Sequence, residues 1–341
     1  MRYSKILFKS IILATMAVGI TIAFNNSNAG DLPGEGQTVI PADDQMLEGL
    51  FQTTVLIIGL EQLGYNIEDI QHLDVPAQFL TIAQGDAHFT AQHWIPQQQG
   101  IYEKAGGDAK MEQLGILIAN ATQGYLIDMA TAEKHSITNI EQLKDPKISA
   151  LFDSDGDGKA NLAGCPPGWG CETVINHHIE EYGLSDTVTQ DQGNFAVIAS
   201  DVLARYRDGQ PVLYYTYTPL WFSEMVVPGK DARWLEVPYT SLPNKQGSEE
   251  VNTTLPDGRN VGWELQNIVT AANRQWVDAN PAARKLFELV EIPIEAVNAE
   301  NRLIYDGENK ETDVRRHAKE WVAQNQAQFD AWVMQAKAAA Q

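Results

Sequence analysis

Neither a G-x-S-x-G elbow nor an H-E-x-x-H pair occurs in the 341 residues, so the nucleophile and zinc signatures of a secreted hydrolase are missing. Basic charge is scarce. Twenty-four Lys and Arg stand against 45 Asp and Glu, a formal net charge of −21, which argues against nucleic acid and anionic membrane surfaces as partners. That acidity serves solubility and weakly favours cationic ligands. No repeat or low-complexity tract interrupts the chain. The apolar run from Ile11 to about Phe24 falls short of the roughly 20 residues a spanning helix needs. It follows Arg2, Lys5 and Lys9 and precedes Ser27-Asn28-Ala29, a small-x-small cleavage pattern, so residues 1–29 read as a signal peptide. No cysteine near the cut offers a lipid anchor. The mature chain is therefore expected to begin near Gly30 and to be soluble outside the cytoplasm; loss of the three leader bases takes its formal charge from −21 to about −24.

What is present centres on Gly164-Cys165-Pro166-Pro167-Gly168-Trp169-Gly170-Cys171-Glu172, which holds both cysteines of the chain. Cysteines six positions apart can close a tight ring in an oxidising compartment, whereas in cytosol they would be free thiols or a redox site. Gly168 and Gly170 let backbone amides approach a ligand closely. The run from Thr173 to Tyr182 reads as a helix stopped by Gly183. A helix start offers unpaired N–H groups and partial positive charge, which suits Gly170 and Cys171 to hold an anion. The face of Trp169 suits a cation. One loop could thus grip both ends of a zwitterion.

About 310 mature residues exceed what one core usually serves, so two domains are expected. Asp43-Asp44 caps a helix with apolar positions from Met46 to Leu63, closed by Gly64. A strand at Tyr65-Asn66-Ile67, a helix from Val75, a stop at Gly85 and a strand to Ala91 give an α/β alternation. His93-Trp94-Ile95-Pro96 puts Trp94 at the carboxyl end of a strand, where ligands of open α/β sheets sit. His88 and His93, five apart, suit neither a strand nor a helix face and are discounted as a metal pair. Residues 115–120 and 124–128 read as two strand segments, followed by a helix near Thr131 and a domain boundary. Residues 153–161 match the first nine positions of a calcium loop with Gly158 at the sharp turn, but position twelve is Gly164 rather than Glu. A structural calcium there stands beside the reading of a simple Asx-turn loop. Asn194-Phe195 opens a helix to about Tyr206, and the strand after Pro211 turns Tyr215 and Tyr217 to one side. That face could complete an aromatic cage with Trp94 and Trp169 or pack in a core. Gln266 to Ala271 crosses back to the first domain, and Trp276, Trp321 and Trp332 read as packing residues of amphipathic helices.

His93-Trp94-Ile95-Pro96, Gly124-Tyr125-Leu126-Ile127-Asp128, Ile137-Thr138-Asn139-Ile140, Asp145-Pro146-Lys147-Ile148, Gly168-Trp169-Gly170-Cys171-Glu172 and Tyr214-Tyr215-Thr216 resemble, in order, the glycine betaine/proline betaine-binding proteins of bacterial ABC uptake systems. The resemblance covers nearly the whole mature chain. It implies a periplasmic, monomeric receptor with a two-lobed type II periplasmic-binding-protein fold, α/β in class, hinged between lobes. The lobes would be 30–126 with 264–341, and 127–263. It also implies that Trp94 and Trp169 wall a cage for a quaternary ammonium and that Gly170 and Cys171 offer N–H groups to a carboxylate. Cys165 would pair with Cys171, and the partner would be a membrane permease. Two positions depart from the family's enteric pattern: Tyr217 replaces a third Trp, and Gln98 replaces a His that helps hold the carboxylate. Tyr keeps a negative π-face and Gln98 a neutral donor, so the betaine class carries over more firmly than glycine betaine itself.

The chemistry agrees. A trimethylammonium has no N–H to donate, and desolvated cation–π contacts reach about 2 kcal/mol each, so three walls supply much of the roughly 8 kcal/mol of micromolar affinity. Other readings are a receptor for choline, carnitine or a sulfonium betaine, a secreted hydrolase, or an interaction module built on the 153–161 loop.

Overall fold

The computed structural model describes residues 32–44, 46–243 and 251–341. The signal peptide expected over 1–29 and the part of the polar connection at 244–250 lie outside the described residues. Among the described residues no helix is long and apolar enough to cross a membrane.

Strands β1 (Thr38–Val39) and β2 (Pro41–Asp43) lead into helix α1 (Leu47–Gln62). Gly64 follows with φ +92, a left-handed turn that glycine takes without strain. The chain then forms β3 (Asn66–Ile67), which pairs with β1, and β4 (Gln71–His72), which pairs with β2. Helix α2 (Val75–Gln84) has Pro76 in its first turn and stops at left-handed Gly85, as the sequence suggested. Strand β5 (Phe89–Ile95) and helix α3 (Gln99–Lys104) complete this part.

The next element differs from expectation. Instead of two strand segments, β6 (Met111–Asp128) runs unbroken for 18 residues. The polar stretch near residue 120 that resembled a turn is absorbed within the strand: Asn120 takes φ 62, and the register against the neighbouring strand shifts nearby.

Asp128 then caps α4 (Met129–His135), accepting from the Thr131 amide, and a short α5 (Pro146–Ser149) follows. Strand β7 (Ala160–Ala163), helix α6 (Gly170–Glu181), strand β8 (Val188–Asp191), helix α7 (Phe195–Arg207) and strand β9 (Leu213–Thr218) alternate. β8 was not read from the sequence. Helix α8 (Trp221–Met225) and strand β10 (Ala232–Trp234) precede the return strand β11 (Gln266–Asn273). The chain ends in helices α9 (Arg274–Ala279), α10 (Pro281–Leu289), α11 (Ile294–Tyr305), α12 (Glu311–Gln324) and α13 (Gln326–Ala338).

The main sheet has the order β4-β2-β5-β11-β6-β9-β7-β8, with β10 also on β6. β6 joins its halves. Residues up to Ala121 pair with β11, and from Thr122 onward the partner is β9. Side chains bury accordingly in two large cores, one drawn from residues 125–263 and one from 39–118 together with 268–336. A smaller cluster around Phe79 and Tyr102 lies on the first part of the chain. Trp276 packs on Tyr65, Trp321 on Phe51 and Trp332 on Phe329, all in the core drawn from residues 39–118 and 268–336, as packing residues should.

Candidate ligand-binding site

The 164–172 loop is pinned at several points. Cys165 and Cys171 form a disulfide with Cα atoms 6.0 Å apart, and both are buried. Gly168 turns through φ +87 and donates its amide to Glu172 Oε2 at 2.7 Å, while Gln192 Nε2 donates to Glu172 Oε1 at 2.9 Å. Helix α6 begins at Gly170, three residues before the expected Thr173, so the amides of Gly170 and Cys171 lie in its first turn without intrahelical acceptors. The Cys171 side chain faces the core, and Cys171 is not among the residues that line the cavity described next; only its backbone could serve a ligand there.

One cavity, about 590 Å³ of empty space including its mouth, collects the remaining site candidates: Trp94, Gln98, Trp169, Gly170 and Tyr217 all line it. The rings belong to one group. Trp94 and Tyr217 have centroids 5.3 Å apart in an edge arrangement, and Trp169 and Tyr217 lie 6.3 Å apart. Trp94 packs against both large cores, and Trp169 packs against the core of residues 125–263 and the Phe79 cluster. The indoles therefore close a shared crevice rather than separate interiors. Phe195, at the start of α7, stacks behind Trp169 at 5.7 Å and 18° and also touches Tyr217 at 5.3 Å. Tyr215 lines the cavity on the same strand face as Tyr217. Trp221 is not among the lining residues and packs on Phe222.

The polar wall is built from glutamines. Gln98 Oε1 accepts from the Trp94 amide at 3.0 Å, which fixes the turn after β5 and leaves Nε2 as its donor. Gln97 accepts a short bond from Gln123 Nε2, its amide donates to Gln266 Oε1 at 3.0 Å, and Tyr215 donates to Gln123 Oε1. This chain links Tyr215 on β9 to Gln266 on β11 without any charge.

Sequence reasoning missed Asp44 and Glu48, which also line the cavity. Their place at the start of α1 reads as ordinary capping, because acids are favoured at helix N-termini in any case. Burial pushes Asp44 up to about 7, and the neighbouring carboxylates of Glu48 and Asp43 add to the rise. Burial likewise pushes Glu48 up to about 7 against a bond from Tyr217 Oη at 3.3 Å. The Tyr217 phenol is held well above its ordinary range by burial, so it remains a neutral ring and donor.

The histidines lie apart from this wall. His88 Nδ1 accepts from the Ile40 amide at 2.8 Å, whereas His93 is fully buried, stacked on Tyr102 at 4.9 Å with neither ring nitrogen bonded. Burial lowers His93 and His178 to about 3. Both therefore bind a proton in the unfolded chain below about pH 6.5 but not in the folded one until about pH 3, which destabilises the fold on acidification. Asp44 and Glu48 act with the opposite sign, taking up protons in the unliganded fold from pH 7 down to their ordinary values of 3.8 and 4.5. The two pairs offset each other above about pH 4.5; below it Asp44 and Glu48 no longer oppose the two histidines, which contribute a fall in stability of up to about 3 kcal/mol per pH unit. Melting of the unliganded protein between pH 7 and 3.5 tests this: a decline spread evenly from pH 6.5 would contradict it.

In the 153–161 loop, carboxylate oxygens of Asp153, Asp155 and Asp157 lie within 4.8 Å of one another. Both Asp153 oxygens accept from amides of the turn, from Gly156 at 2.7 Å and Gly158 at 3.0 Å, and Asn161 Oδ1 accepts from the Ser154 amide at 2.8 Å. Position twelve, Gly164, contributes no carboxylate and donates its amide to Asp191. The loop thus has the hydrogen bonds of an Asx-turn and three of the oxygens a calcium ion would use.

Two cores joined by one long strand, with a ring-lined cleft between them, define a two-lobed type II periplasmic-binding-protein fold. Solved structures share it. A glycine betaine and L-proline-binding protein from Borrelia burgdorferi superposes with a TM-score of 0.68 at 19% identity, covering 89% of this chain and 100% of that one. A lactococcal glycine betaine complex in its closed form gives 0.65 at 17%, covering 87% and 99%. The family model for the substrate binding domain of the ABC-type glycine betaine transport system matches residues 37–324, and the chain belongs to that family. Among its relatives, the glycine betaine-binding periplasmic protein OusX of Dickeya dadantii is 46% identical over 97% of this chain and 99% of that protein. The glycine betaine/proline betaine-binding periplasmic protein of Escherichia coli is 45% identical over 97% and 98%.

Proposed function

We propose that this chain is the periplasmic receptor of an ABC importer, capturing glycine betaine, proline betaine or a close onium relative and presenting it to a membrane permease for osmoprotection. It acts as a monomer and does no chemistry on its ligand. The observation that carries this reading is the meeting of Trp94, Trp169 and Tyr217, drawn from both cores, around one cavity next to the first amides of α6. In it the rings enclose the methylated cation, while the amides of Gly170 and Cys171 and the Gln98 amide hold the carboxylate. The lobes, 30–126 with 264–341 against 127–263, close by rotation within β6, a few residues from where its pairing passes from β11 to β9.

Calorimetry and tryptophan fluorescence with glycine betaine, proline betaine, choline, carnitine and a sulfonium analogue test the reading. Saturable binding of at least one quaternary betaine is expected; silence across the panel would overturn it. No cofactor takes part. Calcium on the 153–161 loop would be structural, so adding it to chelator-treated protein should raise the melting temperature and leave the affinity for the betaine unchanged.

A further inference from the structure

The cleft holds more negative charge than a cage for a zwitterion requires. Asp44 and Glu48 both line it, and none of the lining residues is Lys, Arg or His. Neither carboxylate takes part in an ion pair among the described residues. Each is nevertheless held in place. With its amide turned so that Nε2 faces the acid, Gln92 donates to Asp44 Oδ1 at 2.6 Å and Oδ2 at 2.9 Å. Gly49 leaves room for this amide, because a Cβ there would stand 2.3 Å from Gln92 Cδ. Glu48 accepts from Tyr217 Oη, a wall of the cage itself.

We propose that Asp44 and Glu48 are the counter-charge of the aromatic cage: they strengthen its hold on the onium end and favour ligands of net positive charge, such as choline, relative to the same cage without them. This rests on the reading of the rings as an onium site. A zwitterion brings its own carboxylate into the same small cleft, so its gain from the two acids is partly cancelled by repulsion; a monocation has no such loss.

The arrangement couples capture to protons. The titratable groups facing the pair are few: Asp43 with its partner His72 from β4, and Tyr217 from β9. Tyr217 stays neutral across the neutral range. An onium group arriving beside Asp44 and Glu48 favours their ionised forms, so binding expels protons and tightens as the pH rises through 7.

The test is titration calorimetry with glycine betaine and with choline at pH 5.5, 7.0 and 8.5, in two buffers of different ionisation enthalpy, on the wild type, D44N, E48Q and the double variant. The wild type should bind about tenfold more tightly at pH 8.5 than at 5.5 and release protons on binding. The double variant should bind more weakly at pH 8.5, show a flat profile, release no protons and lose more affinity for choline than for the betaine. Each amide is isosteric and removes a buried charge, so melting temperatures at or above wild type will show that the variants fold; the wild-type proton release decides the matter without them. A flat wild-type profile without proton release, or a double variant with unchanged affinity, would overturn the proposal while leaving the cage reading intact. If the wild type binds neither ligand nor any other betaine, the cage reading itself fails.

Discussion

Replacing Trp169 by Ala is expected to weaken betaine binding about 30-fold, the equivalent of the roughly 2 kcal/mol of one desolvated cation–π contact. The figure is a lower bound on what the ring does. Trp169 stacks on Phe195, borders Tyr217 and packs against two clusters, so its loss also opens the cage to water. Folding should survive, because the indole is only half-buried and the loop around it keeps its disulfide and its Glu172 bonds. Calorimetry on the variant, paired with thermal melting, separates these effects. Affinity within threefold of wild type would place the cation elsewhere.

Gly170→Ala should abolish tight binding by a different route. A Cβ at this position would lie 2.6 Å from Gln97 Cγ and 2.9 Å from the Gln97 carbonyl oxygen. The side-chain atom could swing aside, but the carbonyl belongs to the turn after β5 and cannot move cheaply. The start of α6 must therefore stand off from the opposite wall, carrying its amides out of reach of the ligand's carboxylate. A loss of more than about tenfold in affinity is expected, since a few tenths of an ångström separate a made from an unmade charge-assisted hydrogen bond. The contact joins residues from opposite sides of the cleft, so the melting temperature of the unliganded protein should change little while the upward shift with ligand disappears. An unchanged ligand-induced shift would show that the approach of Gly170 to Gln97 is not needed.

The rings and the pinned loop were legible because their residue types are unusual and their neighbours punctuate the chain. Trp169 lies between glycines, Trp94 two residues ahead of a proline, and Tyr215 and Tyr217 alternate on a strand. The acids were not, since an Asp before a helix and a Glu in its first turn look the same whether they cap the helix or face a cleft. Only the fold shows that β5 and β9 bring Gln92 and Tyr217 against them. Phe195 was hidden for a similar reason, its role behind Trp169 depending on where α7 begins. The single strand β6 escaped detection because a polar, glycine-containing stretch usually ends a strand; here it marks a change of partner, and pairing partners are a property of the whole chain rather than of a window in it.

The bonds from Tyr215 through Gln123 to Gln97, and from Gln97 on to Gln266, contain no ionised group. Each such neutral contact is worth about 1 kcal/mol net, and parting one strands no bare ion in a dry crevice. A receptor must let go as well as hold. At the membrane, prising the two halves apart would then demand little work beyond releasing the cargo itself, a clasp made easy to undo.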